Sequence, residues 1–288
     1  MSEPLLKKVQ ALSPCGLHQV AYWEWGRSDN PQVLVCVHGL SRQGRDFDVI
    51  AQRLSARFRV ICPDVVGRGE SEWLGDPRNY QLPQYVSDMV TLLARLGVGQ
   101  VDWLGTSMGG LIGLALAAMP ASPIKRLILN DVGPTIEFVA LQRIASYLGR
   151  APQFENCQQG ADYLRGISQS FGPHTDDQWL ALSRAMFKPD GDRCRLHYDP
   201  RIGQGLAGLT PELAKAGEAQ LWAAYDAVRC PTLLLRGGES DLLTRTTAEL
   251  MTQRGPRAEL HEFAGVGHAP TLVHEEQIRV VEQFLARG

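Results

Sequence analysis

Serine, histidine and aspartate can together attack a carbonyl, and this chain carries a serine in the sequence context such chemistry requires. Gly105-Thr106-Ser107-Met108-Gly109 follows an apolar run and precedes a stretch of small residues, and it fits the pattern GxSxG. That pattern describes a strand-to-helix turn so sharp that only small residues fit two positions either side of the serine. Such a turn lifts the hydroxyl clear of a sheet edge and points the following N–H groups toward any negative charge that develops there. Five-residue matches also arise by chance, so the string alone fits an inert Gly-Ser loop equally well.

A serine hydroxyl is a weak nucleophile near neutral pH and needs a base, itself oriented by a carboxylate. Among seven histidines, His261 falls within a strand, His174 and His197 in a helical stretch, and His18 in an opening hairpin. His38 ends a central strand ahead of the serine and shapes the loop beside it, and His274 opens the last helix. His268 lies in Gly265-Val266-Gly267-His268-Ala269-Pro270, a flexible loop beyond the last strand that can swing an imidazole over Ser107, so it is the expected base. For the carboxylate, Asp241 follows the strand before the histidine and gives the order serine, aspartate, histidine. Asp131, which ends the strand after the serine helix, is the alternative acid. Asp64 and Asp102 precede the required positions and read as structural.

Acyl transfer also needs two donors aimed at an oxyanion, and backbone N–H groups suffice. Met108 supplies one, and Leu40, after His38-Gly39, is the natural second. Arg42, close to that segment, either meets an acidic substrate or is a solvated surface arginine. Gly67-Arg68-Gly69-Glu70-Ser71 lacks both the GK[ST] ending of a P-loop and the third glycine of a dinucleotide fingerprint, so it reads as a tight loop.

Alternating elements must position these groups. Val9 to Leu12 and His18 to Trp25 read as an antiparallel pair around a Pro-Gly turn. The continuous apolar run at 33–37 and the strand-like segments from Phe58, at 101–104, 124–129 and 232–235 read as strands of a buried sheet, separated by helical stripes. From about Gly133 to Ala227 the pattern changes to amphipathic helices around 136–148, 157–168, 176–187 and 211–226, with no obvious strand. Strands alternating with helices predict an α/β fold with a mostly parallel sheet and helices on both faces. Ligands of such sheets bind at the carboxyl ends of the strands, where the candidate residues fall.

With 288 residues, 44% hydrophobic and 21% charged, the chain can bury a sizeable core. A net charge of −2 argues against nucleic acid or an anionic membrane as partner, leaving a small-molecule substrate. The six cysteines show no metal-type spacing and read as reduced, and neither a metal nor a cofactor is expected. The opening MSEPLLKKVQ lacks a signal peptide's apolar region and no run suits a membrane span, so the expected location is cytoplasmic.

In order along the chain, VCVHGL, GRGES, GTSMGG, RGGESDLL and GVGHAP resemble the α/β-hydrolase family over nearly the whole length. The resemblance implies an eight-stranded sheet, a core domain of residues 1–131 and 229–288, and a helical cap of residues 132–228 over Ser107. It also implies a cofactor-free serine hydrolase of small esters or lactones, acting through Ser107, His268 and Asp241. A carbon-carbon bond hydrolase, an acyltransferase, or a ligand receptor with vestigial turnover are the alternatives within the same fold. The pattern leaves substrate identity and oligomeric state open.

Overall fold

A computed structural model of the chain describes residues 3–206 and 208–287. β1 (Leu5–Ser13) and β2 (Gly16–Trp25) form the antiparallel hairpin, with Val9 opposite Val20. β3 (Val33–Val37) is buried throughout: Leu34 and Cys36 enter one core cluster, while Val33, Val35 and Val37 enter the other. A strand alternates its side chains, so an unbroken apolar run marks a strand covered on both faces.

The chain continues through α1 (Asp48–Leu54), β4 (Arg59–Pro63), α2 (Leu82–Leu96), β5 (Val101–Thr106), α3 (Met108–Ala117) and β6 (Ile124–Asn130). Gly97, in the left-handed region at φ 69°, closes α2 at no steric cost. Packing of α3 on the sheet depends on its small residues. A Cβ at Gly109 would stand 2.0 Å from the Val37 carbonyl oxygen, and one at Gly113 would stand 2.3 Å from the indole nitrogen of Trp103. Fully buried Trp103 donates that indole N–H to the Gly109 carbonyl at 3.0 Å. Truncating such a residue to alanine costs about 3 to 5 kcal/mol.

Between β6 and β10 lies an inserted segment holding α4 (Phe138–Tyr147), β7 (Gln153–Phe154), α5 (Cys157–Ile167), α6 (Asp176–Arg184), β8 (Phe187–Asp190), β9 (Arg193–Leu196) and α7 (Pro211–Ala227). Its four helices match the predicted stretches. The small antiparallel sheet in the order β7-β9-β8 was not expected. Its strands are two to four residues long and β8 is mostly exposed, so they lack the apolar run that announces a strand. Lys188 to Asp192, read from sequence as a loop, forms β8 and the turn to β9, with Gly191 at φ 62°.

β10 (Thr232–Gly237), α8 (Arg245–Met251), β11 (Glu259–Phe263) and α9 (Glu275–Ala286) complete the chain. The main sheet has eight strands in the order β1-β2-β4-β3-β5-β6-β10-β11, parallel from β4 onward. Residues of α1 and α9 pack on one face, and those of α2, α3, α7 and α8 on the other. β5, which delivers Ser107, sits centrally, with β3 on one side and β6 on the other. Among the described residues no helix is long and apolar enough to cross a membrane.

Candidate active site

Ser107 follows β5 and caps α3 with φ 50° and ψ −116°, a left-handed conformation for a residue with a side chain. Holding a non-glycine residue there costs of order 1 to 3 kcal/mol and requires over-determination by its surroundings. Those surroundings are present. The Ser107 N–H donates to the Asn130 carbonyl at 3.0 Å, and the Ser107 carbonyl accepts from Gly110 and Leu111 at 2.8 and 3.1 Å. A Cβ at Gly105 would stand 2.2 Å from the Gly109 carbonyl oxygen. Both glycines of the motif are therefore required by space.

His268 lies between β11 and α9, and its Nε2 stands 3.1 Å from Ser107 Oγ. Its Nδ1 stands 2.7 Å from Asp131 Oδ2. Asp131 is fully buried at the end of β6, with φ 54°. Its Oδ1 accepts the Gly237 N–H at 2.8 Å and its Oδ2 accepts the Ser240 hydroxyl at 2.6 Å. Three donors on two oxygens suit an ionised carboxylate that fixes the imidazole with Nδ1 protonated and Nε2 free to accept from serine.

Asp241, expected to orient His268, is instead bound by Arg143, whose Nε and Nη2 lie 2.6 and 2.8 Å from its carboxylate oxygens. Burial, the largest single influence, acts to raise this carboxyl, but the hydrogen bonds and the charge of Arg143 together with the nearby His268 outweigh it and lower Asp241 from its ordinary value. The cause of the misplacement is the turn after β10. Ser240 Oγ accepts the N–H groups of Leu242 and Leu243 at 3.3 and 3.1 Å while donating inward to Asp131. This side-chain-to-backbone turn directs Ser240 toward the site and leaves Asp241 facing out. The acid that reaches the histidine is the alternative, Asp131.

The Leu40 N–H has no acceptor among the described residues, and Met108, as the first residue of α3, has none within its helix. The Gly39 backbone approaches Ser107 so closely that a Cβ on Gly39 would lie 3.7 Å from Ser107 Cβ. Behind this segment lies Arg68, completely buried in the loop that sequence reasoning passed over. Its Nε donates to the Leu40 carbonyl at 2.9 Å, and its Nη1 donates to the Val66 carbonyl at 2.6 Å and to Tyr85 Oη at 3.1 Å. Its Nη2 stands 3.7 Å from Met108 Sδ. Among the described residues Arg68 makes no ion pair, so a buried positive charge touches both residues of the expected oxyanion pair. An arginine between two glycines gave no periodic signal by which to find it.

His38, also fully buried, accepts the Val65 N–H on Nε2 at 2.9 Å and donates Nδ1–H to the Gly39 carbonyl at 2.7 Å. Burial first, with the charges of Arg68 and Arg42 added, lowers its pKa to about 3 against the Gly39 bond, so it is a neutral loop fastener. The inserted segment reaches the site too. Ser170 donates its hydroxyl to the His268 carbonyl at 2.9 Å. From the end of β6, Asn130 donates from Nδ2 to Thr106 Oγ1 and the Pro270 carbonyl at 3.0 and 2.8 Å.

Ser107 and His268 open onto a cavity of about 1040 Å³, its open mouth included. Its walls combine the Leu40 loop and the His268 loop with Ile144, Leu164, Phe171 and Met186 of the inserted segment. Mostly apolar walls with a few polar groups are the usual make-up of a small-molecule site.

The sequence model described as "Alpha/beta hydrolase family" matches residues 34–283. The chain is 52% identical over 287 residues, 98% of each protein, to a 3-hydroxybutyrate-oligomer hydrolase of Cupriavidus necator. Its structure resembles that of an alpha/beta hydrolase from Novosphingobium aromaticivorans, with a TM-score of 0.87 and 35% identity over 100% of both chains. It also resembles a putative hydrolase from Rickettsia typhi, with a TM-score of 0.88 and 29% identity over 99% of both chains.

Proposed function

From the premise that this chain belongs to the alpha/beta hydrolase family and is a hydrolase, we propose that it cleaves carboxylic esters through Ser107, His268 and Asp131, with short oligomers of 3-hydroxybutyrate as substrates. The observation that carries this reading is the unbroken hydrogen-bonded chain Ser107–His268–Asp131 at the floor of a largely apolar cavity. The substrate is drawn from the 52% identical relative.

In this mechanism Ser107 Oγ forms a bond to the ester carbonyl carbon as His268 Nε2 takes its proton, and Asp131 stabilises the imidazolium. The carbonyl oxygen becomes an oxyanion held by the N–H groups of Leu40 and Met108, each such donor being worth about 3 to 4 kcal/mol in the transition state. Collapse of the tetrahedral intermediate breaks the carbon–oxygen bond of the leaving alcohol, which departs with the proton from His268. Water then gives its proton to His268, attacks the acyl-serine, and releases the acid as the proton returns to Ser107. The inserted segment, as a lid over Ser107, shapes the acyl and alcohol pockets.

A fluorophosphonate label mapped by peptide mass, with turnover of a 3-hydroxybutyrate dimer followed alongside, tests the proposal. Labelling of Ser107 and loss of turnover in Ser107→Ala are expected. Full turnover by a folded Ser107→Ala enzyme would overturn it.

A further inference from the structure

We infer that Arg42 is the anchor for a free carboxylate on the substrate, so that the enzyme removes units from the carboxyl end of hydroxy-acid oligomers in preference to cleaving neutral esters. The inference rests on the ester-hydrolase reading of Ser107.

Three observations converge. First, Arg42 is no surface arginine: its side chain is 13% exposed and it lines the cavity that holds Ser107 and His268. Second, its guanidinium is locked on two edges. Nε and Nη2 lie 2.6 and 2.8 Å from the Asp46 carboxylate, and Nη2 also donates to the Leu182 carbonyl at 2.7 Å. Nη1 alone has no hydrogen-bond partner among the described residues, and it is not among the fully buried unpaired atoms, so it is accessible from solvent. Held rigid on one side and bare on the other, a guanidinium is preorganised to take an anion on its free edge.

Third, the Arg42 side chain leaves the backbone beside the nucleophile, and both line the same cavity. The position a Cβ would take on Gly39 lies 3.7 Å from Ser107 Cβ and 3.9 Å from Arg42 Cγ, so the two side chains begin on either side of one glycine. In an oligomer of 3-hydroxybutyrate the last ester carbonyl carbon is separated from the terminal carboxylate carbon by only four bonds. A carboxylate on Arg42 therefore brings the last ester, rather than an interior one, to Ser107. The released alcohol is then the terminal hydroxy-acid monomer, and the remaining chain stays on Ser107 as the acyl group until water removes it.

Arg143 also lines the cavity and its Nη1 has no hydrogen-bond partner among the described residues, but its side chain is 36% exposed. An anion there competes with water and is screened by salt, so Arg143 contributes less to selection.

The test compares the 3-hydroxybutyrate dimer, its carboxyl methyl ester and its hydroxyl-acetylated form on the purified enzyme. Wild type is expected to favour the free-acid dimer over the methyl ester by at least about tenfold in kcat/KM, the worth of a hydrogen-bonded charge, and to accept the acetylated form. Arg42→Met is expected to erase that preference, the acid and its methyl ester converging in kcat/KM mainly through the KM of the acid, while circular dichroism and fluorophosphonate labelling of Ser107 report that the variant is folded. Arg143→Met should leave most of the preference intact. Equal kcat/KM for acid and methyl ester in wild type would overturn the inference with no variant needed. So would equal loss on both esters in Arg42→Met, or transfer of the effect to Arg143→Met. If Ser107 also fails to label and no ester is turned over, the hydrolase reading itself falls; labelling with no acid preference removes the anchor alone.

Discussion

Asp131 Oδ2 stands 2.7 Å from His268 Nδ1, joining the end of β6 to the loop beyond β11 across the intervening strand β10. β10 serves this contact through its own loop, since Gly237 and Ser240 both donate to the same carboxylate.

That arrangement separates the two aspartates experimentally. Asp131→Asn is expected to lower kcat by about 10³ to 10⁴, as an amide no longer enforces the productive tautomer. Asp241→Asn removes a largely exposed ion pair with Arg143 and should lower kcat less than tenfold. Steady-state turnover of one ester by both variants checks the pair, and the reverse ranking would reinstate Asp241.

Strain at the nucleophile predicts opposite effects on activity and stability. At φ 50°, glycine is at ease where serine and alanine are not. Ser107→Gly should therefore be inactive yet more stable than Ser107→Ala by roughly 1 kcal/mol. Urea unfolding of the two inactive variants measures the difference directly, free of any contribution from catalysis.

Arg68 predicts a change in kcat with little in KM. Its guanidinium fastens the Leu40 carbonyl and leaves the Leu40 N–H free, and it places positive charge behind the oxyanion site. Arg68→Met should lower kcat by about tenfold or more while KM moves little, because the interaction grows only as the oxyanion forms. Arg68→Lys keeps the charge but loses the fork that spans Leu40, Val66 and Tyr85, and should recover only part of the rate. A variant with normal kcat that is merely less stable would show the residue to be structural.

His38 predicts an acid limit to stability. Its pKa is lowered to about 3 in the folded chain, against about 6.5 when unfolded. Between those values the unfolded chain binds the proton and the folded chain does not. This contribution is therefore complete above about pH 6.5 and is lost as the pH falls toward 3, at up to about 1.4 kcal/mol per pH unit. Protonation would also set a donor against the Val65 N–H. Denaturant unfolding of wild type and His38→Gln between pH 4 and 7 should give a shallower slope for the variant.

The centre of the main sheet was legible because burial on both faces leaves an unbroken apolar run, as in Val33–Val37 and residues 233–235. The four helices of the inserted segment were legible from periodicity, whereas its strands were not, since Gln153–Phe154 and Phe187–Asp190 each bury a single phenylalanine and so show no apolar run or alternation. Among site residues, Ser107 and His268 could be placed because the turn around one and the loop around the other leave marks in residue type.

By itself the sequence determined the strand–helix order, the serine turn that only glycines permit, and the short list of groups able to assist it. Tertiary structure alone decided which carboxylate meets the histidine, because Asp131 and Asp241 both follow strands and only the Ser240 turn directs one inward and the other toward Arg143. It also decided that Arg42 and Arg68 belong to the site. A side chain's reach depends on what packs around it, and the Asp46 fork on one arginine and the Leu40 carbonyl on the other join residues that linear spacing does not relate.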